Sequence, residues 1–427
     1  MLGVIGVLIF IIGLLGSIAL HEVGHMLPAK KFGVRVPQYM VGFGPTLWSR
    51  MRGETEYGIK AIPMGGYIRM IGMFPPRSST RKASGRFTEM IEQARADSLE
   101  EVHDGEEGRA FYSLNVPKKL TVMFGGPFMN LVLAFVFFAL SMSAIGSLQP
   151  TTTIDSVVQC VPTSSNQEGL PSTDGSCSGS QPSAAAALGL KPRDVLLTVN
   201  GKAIHTWDDL GNSLAGTGGQ QVEIVYQRDN ISVVQTIEMT TLSDPQLARA
   251  PGQGFLGVSP VFAMQRQSLG DVPGVVADQT KDAFTALAGF PGAVADLTSN
   301  LLSSEPRDPN GPVGVIGIGR ITGEISSSDD FSFSAKIGTL FSLLAGLNLF
   351  MFIFNLLPIL PLDGGHIASA LFEGMRRTFA RVRGITPLPG PSDTARMLPF
   401  TYLVAMIMIG TSVIVALADI IKPITLG

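Results

Sequence analysis

Two histidines and a glutamate stand together in "HEVGH", His21 to His25, directly after about twenty mostly apolar residues, enough to cross a bilayer. On a helix, residues four apart share a face, so His21 and His25 can offer two imidazole nitrogens to one zinc ion. Glu22, between them, has the chemistry of a general base for water attacking a carbonyl at that metal. A tetrahedral catalytic site needs a third protein ligand and an open position. The distant candidate is Asp363 in "NLFMFIFNLLPILPLDGGH", where an acid closes an apolar run. Ionisable groups at membrane depth are costly unless paired or functional. Pro358, Pro361, Gly364 and Gly365 bracket Asp363 and break the helix. Irregular backbone at that depth is tolerated only where protein or a water-filled cavity satisfies it. His366 is surplus to a three-ligand site and is read as a supporting residue. His103 lies in an acidic, solvated stretch, and His205 precedes a short surface helix. Cys160 and Cys177, the only cysteines, leave no thiolate zinc set.

The elements that must position these groups are mostly membrane helices. The 427 residues are 45% hydrophobic and 15% charged, against about a quarter charged in an average soluble domain. Four apolar stretches are long enough to span a bilayer, near Leu2–Leu20, Leu120–Ile145, Ile337–Leu357 and Met397–Ile420. The first has no Lys or Arg before it and no small-residue cleavage site, so it reads as a retained helix. The net charge of -3 shows no nucleic-acid footprint. Lys and Arg crowd the first connection, from Lys30 to Lys119, and the third, with Arg376, Arg377, Arg381, Arg383 and Arg396. The longer second connection carries fewer. The positive-inside rule then places the first and third connections in the cytoplasm, and both termini and the long segment outside. His21 lies about 30 Å along its span at 1.5 Å per residue, and Asp363 follows a similar descent. Both motifs therefore reach the cytoplasmic side.

The long outer segment has soluble character. "AAAALGLKPRDVLLTVNGKAIHTWDDL" predicts a short helix, a strand, an Asn-Gly turn and a second helix capped by Thr206. "QQVEIVYQRDNISVVQTIEM" predicts two strands joined at Asp229-Asn230. Before them lies the Gly/Ser/Pro-rich loop "PTSSNQEGLPSTDGSCSGSQPS"; after them come an amphipathic helix over 272–302 and the loop "SSEPRDPNGP". A Cys160–Cys177 bridge is permitted outside the membrane. It would stabilise by about 3 kcal/mol in the chain-entropy model.

At "HEVGH" and "NLLPILPLDGG" the chain resembles the site-2 protease family of intramembrane zinc metalloproteases, in its bacterial regulator-of-sigma-E branch and its actinobacterial members. Asn355, Pro358, Asp363 and Gly364 match the family's N-x-x-P-x-x-x-x-D-G motif, and "GGPFMN", ending at Asn130, resembles its second-span stretch. The outer module resembles a PDZ domain, without a clear G-L-G-F carboxylate loop. "FLGVSP" and "GPVGVIGIGR" resemble stretches that follow that domain. The resemblance implies one Zn2+ held by His21, His25 and Asp363, with Glu22 as general base. Asn355 would hold substrate or oxyanion, and Asn130 would pack or position.

It also implies a polytopic α-helical membrane protein of the bacterial cell membrane, with four transmembrane helices, a membrane-associated β-rich loop and an extracytoplasmic α+β PDZ-like domain. The implied segments are 1–30, 31–118, 119–146, 147–260, 261–335, 336–366, 367–396 and 397–421, alternating as span, β-rich loop, span, PDZ-like domain, post-PDZ segment, span, loop and span. The expected activity is peptide hydrolysis in or beside transmembrane helices, with the lipid bilayer as its setting. The expected substrates are single-span proteins such as anti-sigma factors, already cut by a site-1 protease. The PDZ-like module would exclude or recruit substrate. The competing classes are a membrane-tethered non-catalytic PDZ scaffold and a metal-dependent transporter; zinc-dependent hydrolysis separates them.

Overall fold

An apolar run with no internal charge favours helix in lipid, because only a helix satisfies its own backbone there. The computed structural model describes residues 2–76, 87–162, 177, 180–242, 252–301, 303, 307, 311–328 and 332–424. Most of the Gly/Ser/Pro-rich loop and of "SSEPRDPNGP" lies outside them. The chain divides into two compact units, one of 1–146 with 267–427 and one of 147–266.

The first unit opens with α1 (Leu2–Lys31), which carries "HEVGH" inside its last third. The predicted β-rich loop is a hairpin of β1 (Gln38–Arg52) and β2 (Thr55–Arg69). Positive φ at Gly42 and Gly44, in β1, and at Gly65, in β2, accompanies an irregular register there. Then follow α2 (Thr88–Glu100), within a stretch read from sequence as loop, and α3 (Val116–Ala139), capped by the Asn115 side chain.

The second unit is an antiparallel sheet of β3 (Ser147–Val157), β4 (Val195–Val199), β6 (Gln221–Arg228), β7 (Ile231–Glu238) and β8 (Val258–Gln265), in the order β7-β6-β4-β3-β8. The short β5 (Lys202–Ala203) pairs with β4. The helices are α4 (Ala184–Ala187) and α5 (Trp207–Leu214), the latter closed by a Thr206–Asp209 capping box. Leu196, Val222, Ile224 and Tyr226 point into its core. Asp194, nearly buried, is held by Arg228 at 2.6 Å. The unit extends to residue 266 rather than 260 because β8 pairs along β3 to Gln265. Cys160 and Cys177 are disulfide-bonded, with Cα atoms 5.5 Å apart.

The first unit resumes with α6 (Val272–Leu301), α7 (Val315–Ser327), α8 (Phe333–Asn355), α9 (Asp363–Val382) and α10 (Leu398–Ile421). Four segments, Ile5–Lys31, Val116–Ile145, Phe333–Asn355 and Thr394–Ile421, are long and apolar enough to cross a membrane. The third span ends as a helix at Asn355, close to the predicted Leu357 and ahead of the predicted break. A further element differs from the sequence reading. The stretch 367–396, read as a loop, is helical to Val382. Its period was masked because its apolar residues alternate with arginines.

Candidate metal centre

The site is built where α1, α3 and the start of α9 meet. Gly24 and Gly125 allow the first contact: a Cβ on Gly125 would stand 2.1 Å from the Gly24 carbonyl oxygen, and one on Gly24 would stand 2.3 Å from that of Gly125. Small residues let membrane helices approach backbone to backbone in this way. One residue further along α3, Gly126 faces the His25 ring. A Cβ there would lie 2.1 Å from Nε2.

Asp363 arrives from the other end of the chain. Gly364 and Gly365 pack so tightly under the turn after α8 that a Cβ on Gly364 would lie 2.2 Å from the Leu357 carbonyl oxygen. This fold-back makes Asp363 the first residue of α9, where the free N–H groups of a helix favour negative charge.

Three atoms converge. Asp363 Oδ2 is 3.4 Å from His21 Nε2 and 3.2 Å from His25 Nε2. The two Nε2 atoms are 3.3 Å apart. Zinc binds nitrogen and oxygen at about 2.0–2.1 Å, so the edge of its coordination tetrahedron is about 3.3 Å. The triangle thus has zinc's dimensions. It is also the sole three-residue cluster of His, Cys, Asp or Glu of metal-holding geometry among the described residues. Both histidines and Glu22 are buried.

The far side of each imidazole is engaged too, which sets the ring that a metal needs. His25 Nδ1 lies 2.8 Å from the Val122 carbonyl, which can only accept, so Nδ1 carries the proton and Nε2 a lone pair. His21 Nδ1 lies 3.0 Å from the amide of fully buried Asn130. Asn130 Oδ1 is a buried acceptor without a donor. Turning the amide over, an exchange of nearly identical shapes, gives Oδ1 the His21 Nδ1 proton and frees Nε2 for a metal. Asn130→Ala should weaken zinc affinity by about 10–100-fold, read by competition with a chelator, with cleavage restored by added zinc.

Glu22 sits beside the triangle with the Ile68 backbone amide facing its carboxylate. A Cβ on neighbouring Gly66 would come within 3.1 Å of Glu22 Cγ. The hairpin is tied to α1 again by Tyr39, whose hydroxyl donates to the Ala19 carbonyl at 2.7 Å. Burial, then the Glu22 charge and Tyr57, push the Tyr39 pKa up to about 12, so it stays a donor.

Of the residues singled out from sequence, His21, Glu22, His25, Asp363 and Asn130 come together. Asn355 is the last residue of α8, and Pro358 is exposed in the turn leading to Asp363. His366 lines a small cavity with Lys119 and Glu373. His103 pairs with Glu106 at 3.1 Å. Sequence reasoning missed Asn348, fully buried in α8, which donates to Ser17 of α1 at 2.9 Å one turn before His21. A lone Asn inside a span was the available signal.

Peptidase family M50 matches residues 9–386. The zinc metalloprotease Rip1 of Mycobacterium tuberculosis is 32% identical over 440 residues, covering 100% of this chain and 100% of that protein. The zinc metalloprotease Rip1 of Mycolicibacterium smegmatis is 30% identical over 439 residues, covering 99% and 98%. The metalloprotease MmpA of Caulobacter vibrioides is 26% identical over 395 residues, covering 87% and 88%. A match that runs from the first membrane helix past Asp363, with relatives aligned end to end, makes the chain a member of peptidase family M50 and a multi-pass membrane zinc metalloprotease.

Proposed function

We propose that the protein hydrolyses peptide bonds within or beside the transmembrane helices of other membrane proteins, with His21, His25 and Asp363 as zinc ligands and Glu22 as general base. The observation that carries this is the triangle of 3.2, 3.3 and 3.4 Å edges beside a buried carboxylate. Zinc supplies Lewis-acid polarisation of the scissile carbonyl and acidifies water. Glu22 takes a proton from the attacking water and passes it to the leaving amine nitrogen. The Ile68 amide faces the carboxylate from β2. Asn130 and the Val122 carbonyl fix the two imidazoles. Asn355, Pro358 and Gly364 shape the segment that delivers Asp363 and would border a bound substrate, with Asn355 holding it or the developing oxyanion.

A helical substrate hides its carbonyls and must be unwound before attack. The β1–β2 hairpin offers strand edges for an extended segment. Phe43, Leu47, Trp48, Ile59 and Ile62 on it are exposed, which supports a membrane-associated loop. The second unit, a small antiparallel sheet with two helices, is read as a PDZ-like module on the extracytoplasmic side. Its disulfide suits an oxidising compartment, and the arginine-rich connections suit the cytoplasm. In this orientation both termini are extracytoplasmic. The favoured substrates are single-span anti-sigma factors after a site-1 protease has removed their outer domain.

The test uses the purified full chain and a tagged single-span anti-sigma factor lacking its outer domain. Cleavage inside or next to the span, mapped by mass spectrometry, lost on chelation and restored by zinc, is the expected result. Chelator-resistant cleavage would overturn the mechanism. A zinc-loaded protein that leaves this substrate intact would overturn the substrate class.

A further inference from the structure

Helix α9 has two unlike faces. Ala370, Glu373 and Ala380 are buried against the protein, with Lys119 of α3 on Glu373 at 2.8 Å. On the opposite side Leu371, Met375, Phe379 and Val382 form a stripe at helical spacing, with Phe372 beside it. All are exposed, Val382 to 83% and Met375 to 65%. An uncovered apolar stripe of this length calls for an occupant.

Charge and level identify the occupant. At about 100° per residue, exposed Arg376 and Arg383 flank one side of the stripe and exposed Arg381 the other. Arg376 and Arg383 lie over the Phe372 and Phe379 rings, at 5.9 and 4.3 Å. From 367 to 396 five arginines face only Glu373 and Asp393. The stripe is level with the first turn of a membrane helix: Val116 lines a shallow groove with Leu371, Met375 and Phe379, and exposed Lys118 adds another cation. A helix with an apolar face, arginines on both rims and a position at the end of a span has the geometry of one lying in the lipid headgroup plane.

We propose that α9 is an interfacial helix that buries Leu371, Met375, Phe379 and Val382 among acyl chains and gathers anionic phospholipid headgroups on Arg376, Arg381 and Arg383. Asp363 begins this same helix, so the leaflet to which α9 anchors also holds a residue of the metal cluster in place.

The test attaches an environment-sensitive fluorophore to Val382→Cys in the full chain, whose two native cysteines are already bridged. The protein is reconstituted into vesicles of phosphatidylcholine, or of phosphatidylcholine with phosphatidylglycerol. Brominated acyl chains should quench the probe and aqueous iodide should not. At equal mole fraction, brominated phosphatidylglycerol should quench several-fold better than brominated phosphatidylcholine, since each arginine near an anionic surface is worth about fivefold in occupancy. The triple change Arg376→Gln, Arg381→Gln, Arg383→Gln should abolish that preference while leaving the probe shielded from iodide. Raising salt on the unsubstituted rims should shrink the preference too, a check that needs no variant. Free access of iodide would overturn the interfacial placement and favour a soluble partner for the stripe. Equal quenching by the two lipids, at low salt, would overturn the headgroup preference.

Discussion

Glu22→Gln is expected to slow cleavage by about 10²–10⁴-fold, the usual contribution of a positioned proton acceptor, while zinc content stays at the wild-type level. Glutamine has the same shape, and the hairpin stays tied to α1 by Tyr39 and the close approach of Gly66, so the packing of β2 on α1 persists. What it lacks is a carboxylate that can take and return a proton. Metal content by atomic spectroscopy, together with single-turnover cleavage of the trimmed substrate, separates this from damage to the site. Undiminished cleavage would remove Glu22 from the reaction and require a base elsewhere. Lost zinc would make Glu22 a support for the ligands instead.

Gly126→Ala should be almost as damaging, although the residue has no chemistry. The added Cβ would sit 2.1 Å from His25 Nε2 and 2.6 Å from its Cδ2. Helix α3 has little freedom to accommodate it, because Gly125 and Gly24 already touch through their backbones. The ring must swing, and a 1 Å misplacement costs about a hundredfold in rate. Zinc content below that of the parent and cleavage down by about that factor are expected. Gly16→Ala, on the partner helix α1 with nothing within 4 Å of its added Cβ, should leave both unchanged. Equal behaviour of the two variants would show that the α1–α3 crossing is looser than described.

The corners of the triangle were more legible in the sequence than their surroundings. His21 and His25 are legible because helical geometry turns a four-residue spacing into a shared face, and Asp363 because an acid among prolines and glycines ending an apolar run needs a reason. The role of Gly126 was not legible, and Asn130 stood only as a packing or positioning residue by resemblance, without its His21 partner. "GGPFMN" marked the place, but a missing Cβ beside His25 and an amide behind His21 arise only once α1 and α3 are docked. Asn348 was hidden for a similar reason, its partner Ser17 being 331 residues away. Strands β4, β6 and β7 followed from their apolar residues and the Asp229-Asn230 turn, because one face is buried and register then matters, whereas β3 and β8 were not read as strands. Helix α9 was the largest omission. Its stripe keeps the helical period but turns away from the protein, and five arginines between 367 and 396 gave it the look of a solvated connection.

The order of the chain has a consequence for its biosynthesis. His21 and Asp363 are about 340 residues apart, and at about 5–20 residues per second the ribosome needs tens of seconds between them. Throughout that interval the first helix holds two histidines and a glutamate in the bilayer, with the third corner of the triangle not yet made. With Asp363 as the proposed third ligand, competence would be timed by synthesis itself: the last part of the chain would arm the first. A message broken before Asp363 would leave an inserted but inert product rather than an unrestrained protease among the nascent proteins of the same membrane.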